Sequence, residues 1–228
     1  MEQMDRDHGV QTHNIPWKLA ELKDGCILAG LAHAIMVAKY PFLANEHSWD
    51  GANYNVQDSE GQRGTITFFN GIVVAAFRND NSERIARKEQ AEQFFQGAPS
   101  EVLQVANQET LQFLLDEVDG TIRPFITAAF WGEGQLTSND TVQDMLQNGA
   151  SLLQRQLLPF EDALEEWKEF YEMNAEQVLL LRNLFDKKKE KGDATFWLSP
   201  EEISLIGIEN KEGAIESRTS FEEMNIRW

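Results

Sequence analysis

Arg63-Gly64-Thr65-Ile66-Thr67-Phe68-Phe69-Asn70-Gly71-Ile72-Val73-Val74-Ala75-Ala76-Phe77-Arg78 consists of two apolar, β-rich runs joined by an Asn-Gly pair. Such a pair between such runs predicts a two-residue type I′ hairpin, because both loop positions need a positive φ. The register then follows by counting: Phe69 faces Ile72, Phe68 faces Val73, and so on to Arg63 opposite Arg78. A period of two puts Ile66, Phe68, Val73, Ala75 and Phe77 on one apolar face, expected to lie on the core. A third strand, residues 53–57, can join through the turn Asp58-Ser59-Glu60-Gly61. The result is a three-stranded antiparallel β-meander within residues 49–81.

The opposite face of this hairpin carries Arg63 and Arg78 directly across from each other, with Thr65 and Thr67 further along. Like charges so placed destabilise a ladder unless something neutralises them. In the expected meander register Tyr54 falls beside Thr65 on this face. Two guanidinium forks, two hydroxyls and a phenol would then converge on a carboxylate or phosphate. The competing expectation is that an Asp or Glu of the chain neutralises both arginines.

Working outward, residues 17–42 read as a helix opening near Asn14 and Pro16 and broken at Pro41, with Leu19, Leu22, Leu28, Leu31 and Ile35 toward the core. Gly25, Ala29, Gly30, Ala32 and Ala34 keep it slim, so other elements can approach closely. After Asn81 the sequence reads as successive helices: 82–96, 100–118 with Asp119-Gly120 as its stop, and a shorter apolar piece over 122–131. Further helices are expected over 139–158, 160–171 and 174–191, the last ended by Gly192. Ser199-Pro200-Glu201-Glu202 is a capping box. The lysines of 187–191 suit the C-terminal end of a helix dipole. The fold class is therefore α+β: a mainly α-helical body with a small three-stranded meander near the N-terminus. Residues 1–13 are expected to be a loose segment before a single domain over 14–228.

Composition excludes more than it assigns. A net charge of −18 over 228 residues argues against nucleic acid and anionic membrane surfaces as partners and favours a basic protein partner or solubility alone. The single cysteine, Cys26, excludes an intrachain disulfide and thiolate metal clusters, and fits a reducing, cytoplasmic location. The longest charge-free apolar run, between Asp24 and Lys39, falls short of the roughly twenty residues of a spanning helix.

The motifs of catalysis are missing. His8, His13, His33 and His47 form no metal-ligand spacing, and no nucleophile elbow, P-loop or dinucleotide fingerprint occurs. No cofactor and no metal is expected. His47 with Asp50, in the loop 46–51, is the one weak acid-base or metal pair. His33 reads as a core histidine and Cys26 as a small buried hydrophobe. Trp131-Gly132-Glu133-Gly134 reads as a turn between helices or a mobile lid.

Charge is unevenly spread: ten acidic residues lie between Glu89 and Gln154, against one basic residue, Arg123. Glu109, Asp116, Glu117 and Asp119 are the candidate acidic surface that would steer a basic partner. The functional expectation is a non-catalytic binding or protein-interaction module of the immunity, inhibitor or adaptor type. The alternative is an enzyme or sensor holding a small anion through Arg63 and Arg78.

Overall fold

The hairpin at Asn70-Gly71 forms with every expected pair, from Phe69 opposite Ile72 to Arg63 opposite Arg78. Its loop residues have φ of 50° and 84°, as a type I′ turn requires. The computed structural model describes residues 11–228. Residues 1–10, most of the segment expected to be loose, lie outside the described residues, and His8 with them; His13 opens the first strand.

The chain begins with β1 (His13–Lys18), α1 (Leu19–Met36), β2 (His47–Asp50), β3 (Asn53–Gln57), β4 (Gln62–Phe69) and β5 (Ile72–Asn79). It continues through α2 (Ser100–Gln108), β6 (Leu115–Val118), β7 (Thr121–Pro124), β8 (Ala128–Glu133), β9 (Gln135–Ser138) and α3 (Val142–Gln147). The C-terminal part holds α4 (Phe160–Tyr171), α5 (Ala175–Lys191), β10 (Phe196–Trp197), α6 (Pro200–Ile206), α7 (Lys211–Glu223) and β11 (Ile226–Arg227).

The class is α+β, but the small meander is corrected to a seven-stranded antiparallel sheet in the order β1-β9-β8-β5-β4-β3-β2. Four strands escaped the sequence reading: β1, β8, β9 and β2, the last in residues read as the loop 46–51. β8, Ala-Ala-Phe-Trp-Gly-Glu, is buried on both faces except at its last residue, so it shows no alternation and resembles a helical apolar run. Trp131 and Gly132 are therefore strand, and the expected turn between helices, or lid, is the tight β8–β9 turn at Gly134, φ 81°. β1 occupies residues expected to open the first helix; with Pro16 in it, it is confined to the sheet edge.

Residues expected to be one helix over 100–118 are instead α2, a 3₁₀ turn over Thr110–Leu114 and the hairpin β6–β7. Asp119-Gly120, read as a helix stop, has φ of 54° and 79° and is a second type I′ loop. Residues 82–96 form two 3₁₀ turns, and 139–158 keeps only the short α3 and a 3₁₀ turn. The helices over 160–171 and 174–191 form as expected, and both Asn174 and Ser199 make complete capping boxes.

α1 is buried almost all round, lying between the sheet and the helices α4, α5 and α7. Its small residues permit this. A Cβ at Gly25 would stand 1.9 Å from the Gln156 carbonyl oxygen, and one at Gly30 would meet the Trp49 indole at 2.7 Å. Ile66, Val73, Ala75 and Phe77 lie in this helix-side core, with Phe68 at its margin.

The other face of the sheet is covered as well, by the excursion between β5 and β8. Phe94, Phe95, Val102, Val105, Leu111 and Leu114 close over Val74, Ala76, Ala129 and Trp131. Among the described residues no helix is long and apolar enough to cross a membrane.

Candidate functional site

Arg63 and Arg78 do meet on one face of the β4–β5 hairpin, at the end of the second apolar cluster. The excursion that covers this face brings Asp116, in β6, to both. Arg63 Nη2 donates to its carboxylate at 3.2 Å, and Arg78 Nη1 donates to the same oxygen. Arg78 Nε adds a 2.5 Å bond to Asp80, and its guanidinium lies over the Phe125 ring at 4.9 Å. A carboxylate of the chain thus sits where the like charges of a cross-strand arginine pair would otherwise repel.

The hydroxyls on this face are also satisfied internally. Thr65 Oγ1 donates to Asn55 Oδ1 at 2.7 Å. Thr67 Oγ1 donates to Asn53 Oδ1 at 2.6 Å and lies 2.7 Å from Thr110 Oγ1.

Tyr54 is not with them. It pairs with Ile66, one position from the expected Thr65, and a one-residue slip in a strand moves every side chain to the other face. The cause is the β3–β4 turn. Asp58 N–H bonds the Gln62 carbonyl at 3.0 Å, its Oδ1 accepts from Glu60 N and Gln62 N, and Gly61 takes φ 90°. Asp58 therefore belongs to the ladder, the loop shortens to three residues, and Gln57 pairs with Arg63.

Tyr54 is fully buried in the helix-side core, where His47 Nδ1 meets its hydroxyl at 2.7 Å and Gln156 Nε2 donates to it at 2.9 Å. His47 bonds Tyr54 and not Asp50, which ends β2 and is exposed, so the expected acid-base pair is split between the core and the surface. Burial holds the His47 ring well below its usual pKa, with His33 and then Arg155 acting in the same direction. Burial also pushes the Cys26 thiol up, so it is a poor nucleophile. Among the described residues no group of three or more His, Cys, Asp or Glu is placed to hold a metal ion.

The expected acidic surface is partly consumed. Asp116 serves the two arginines, Asp119 pairs with Lys88, and Glu109 accepts from Asn53 Nδ2 at 3.1 Å. Glu117 remains exposed beside Ile122, which is 74% exposed, on the outer face of β6–β7.

A different acidic group comes together nearby. A groove of about 660 Å³ runs between β2, β3 and β4, the Thr110–Leu114 turn and α7. Asp50, Glu216 and Glu223 line it, as do Arg63 and the partly exposed Phe113. Glu223 Oε2 accepts from the Trp49 backbone N–H at 3.0 Å, which ties α7 to the edge strand. Burial raises the Glu223 pKa; the Trp49 bond opposes this, and the Asp50 and Glu216 charges add to the rise. Asp50 and Glu216 thus both act on Glu223 across the groove, and among the described residues none of the three has a lysine or arginine within ion-pair distance. Positions 50, 216 and 223 are too far apart in the chain for any local pattern to reveal this trio. Comparison of the chain with protein-family models, with curated proteins and with solved structures finds no match.

Proposed function

We propose that the chain is a non-catalytic binding protein whose groove between β2 and α7 receives a basic segment of a protein partner, in the manner of an immunity protein, inhibitor or adaptor. The observation that carries this reading is the uncompensated trio Asp50, Glu216 and Glu223. Elsewhere carboxylates such as Asp24, Asp140 and Glu161 sit on a lysine or arginine of the chain. Asp50 and Glu216 act on the half-buried Glu223 without a compensating base, and a cation entering the groove relieves that repulsion. Phe113 supplies an apolar contact beside them, and the net charge of −18 steers a basic partner at long range. The buried free thiol of Cys26 accords with a reducing, cytoplasmic setting.

The alternative, a small anion held by Arg63 and Arg78, has less support, because an external anion would compete with Asp116 for both guanidinium groups.

The test is calorimetric binding of a decalysine peptide at low and high salt. Reversing two charges in the groove, Asp50→Lys with Glu216→Lys, should weaken binding by about tenfold or more. The same charge change away from the groove, Glu92→Lys with Glu133→Lys, should leave most of the affinity. Equal losses in the two pairs would show that only net charge is read, and the groove would lose its role.

A further inference from the structure

A second cleft, of about 500 Å³, opens on the helix side of the molecule between β2–β3 with its 58–62 turn, residues 151–155 and α4. Its wall holds Arg155, whose guanidinium lies 4.0 Å from the Phe170 ring centre and 5.3 Å from that of Trp167. Contact with two rings set at 80° to each other restricts the guanidinium. Yet Arg155 has no carboxylate within ion-pair distance among the described residues, in a chain with 38 acidic side chains. Its Nε is buried without a hydrogen-bond partner.

The neighbouring polar atoms repeat this pattern. Trp167, which lines the cleft and is 1% exposed, has an indole N–H with no partner. Gln156, also 1% exposed, donates to Tyr54 but its Oε1 accepts nothing. Buried polar atoms are nearly always paired, and two of these orphans, Arg155 Nε and Trp167 Nε1, belong to residues that line the cleft.

The charge pattern narrows the ligand. Glu46 lines the same cleft, half-buried; burial raises its pKa and Arg155 acts against the rise. The two groups sense each other's charge without forming an ion pair. Asp58 and Glu60 add negative charge at the rim, which disfavours a phosphate or any other multiply charged anion. A small molecule carrying one carboxylate and one ammonium fits both ends.

We propose that this cleft binds a free α-amino acid with an apolar side chain. Its carboxylate takes the Arg155 fork, its ammonium faces Glu46, and its side chain lies on Leu152 and the exposed part of Phe170. The cleft has the volume usual for a small-molecule site, with a mostly polar lining and an apolar part at Leu152 and Phe170. The site is independent of the acidic groove, and the charge reversals at Asp50 and Glu216 leave it intact.

L-Phenylalanine, L-leucine, 3-phenylpropionate and phenethylamine are titrated into the full chain, with dissociation constants from calorimetry and thermal midpoints alongside. The amino acids should raise the midpoint. The two analogues lacking the ammonium or the carboxylate should each bind at least about tenfold more weakly than phenylalanine. Arg155→Met should abolish binding of phenylalanine and of phenylpropionate. Glu46→Gln, at a partly exposed position, should weaken phenylalanine and spare phenylpropionate, and it serves as the deciding variant if Arg155→Met does not fold. No response to either amino acid at about 10 mM, analogues that bind as well as phenylalanine, or wild-type affinity in Glu46→Gln would each overturn the proposal.

Discussion

The two faces of the β4–β5 hairpin are built from the same alternating strands and sealed in different ways. Ile66, Val73, Ala75 and Phe77 are closed by α1, with contacts that are apolar and backbone-tight. On the other face Ile72, Val74 and Ala76 are closed by apolar packing, and the end with Arg63, Arg78, Thr65 and Thr67 is closed by Asp116, Asn53, Asn55 and Thr110. One face depends on shape and the other on paired charge and hydrogen bonds. The first should therefore be intolerant of added volume, and the second sensitive to the loss of a single partner.

Three experiments test that contrast. The largest effect is expected from Gly25→Val on the helix side, where the new Cβ would stand 1.9 Å from the Gln156 carbonyl oxygen and must drive α1 away from residues 154–157. A loss of about 4 kcal/mol by urea unfolding is expected, the range reached only by severe core disruption. A loss under about 1 kcal/mol would mean that the helix-side core can shift to make room.

The next is set by pH. Burial lowers the His33 pKa to about 4, with the Ala44 backbone opposing but forming no hydrogen bond of normal geometry, and the His47 ring is lowered in the same direction. The unfolded chain protonates these rings near pH 6.5, so it binds more protons than the folded chain below that value. Stability should be fully present above pH 6.5 and fall as the pH drops toward 4, by about 3 kcal/mol for His33 alone. Glu46 and Glu223, whose pKa values are raised, act with the opposite sign. The difference between wild type and His33→Gln across pH 7 to 4.5 isolates the histidine, and a pH-independent difference would contradict its neutral burial.

The smallest effect belongs to the polar seal. Asp116→Asn should cost about 1–2 kcal/mol, since the carboxylate is partly exposed and the arginines left behind repel each other. Adding Arg63→Gln should recover part of that loss, measured as a double-mutant cycle. Strict additivity of the two changes would show that the charges on this face do not interact.

How far the chain could be read residue by residue follows from the range of each interaction. Asn70-Gly71 set a register of eight pairs because turn geometry is local. Asp119-Gly120 carries the same signal, but its flanking strands of four residues are half polar and lie after a helix, so a C-cap was an equal reading. Tyr54 changed faces through the single extra pair that Asp58 contributes. The arginine pair was visible, while its counter-ion was not: 38 carboxylates could have served, and proximity to Asp116 arises only when β6–β7 folds back over β4–β5. Arg155, Trp167 and Glu46 carried no motif at all, since three separate segments bring them together.

By itself the sequence determined the α+β class, the hairpin and its register, the helices over 160–171 and 174–191, and that no disulfide can form within these 228 residues, because these rest on neighbours in the chain or on composition. Only the tertiary structure decided that seven strands join one sheet, that both of its faces are covered, and which acids meet which bases. A strand buried on both faces loses the alternation that would announce it, and a charge has no preference among equally charged partners until the fold sets the distances.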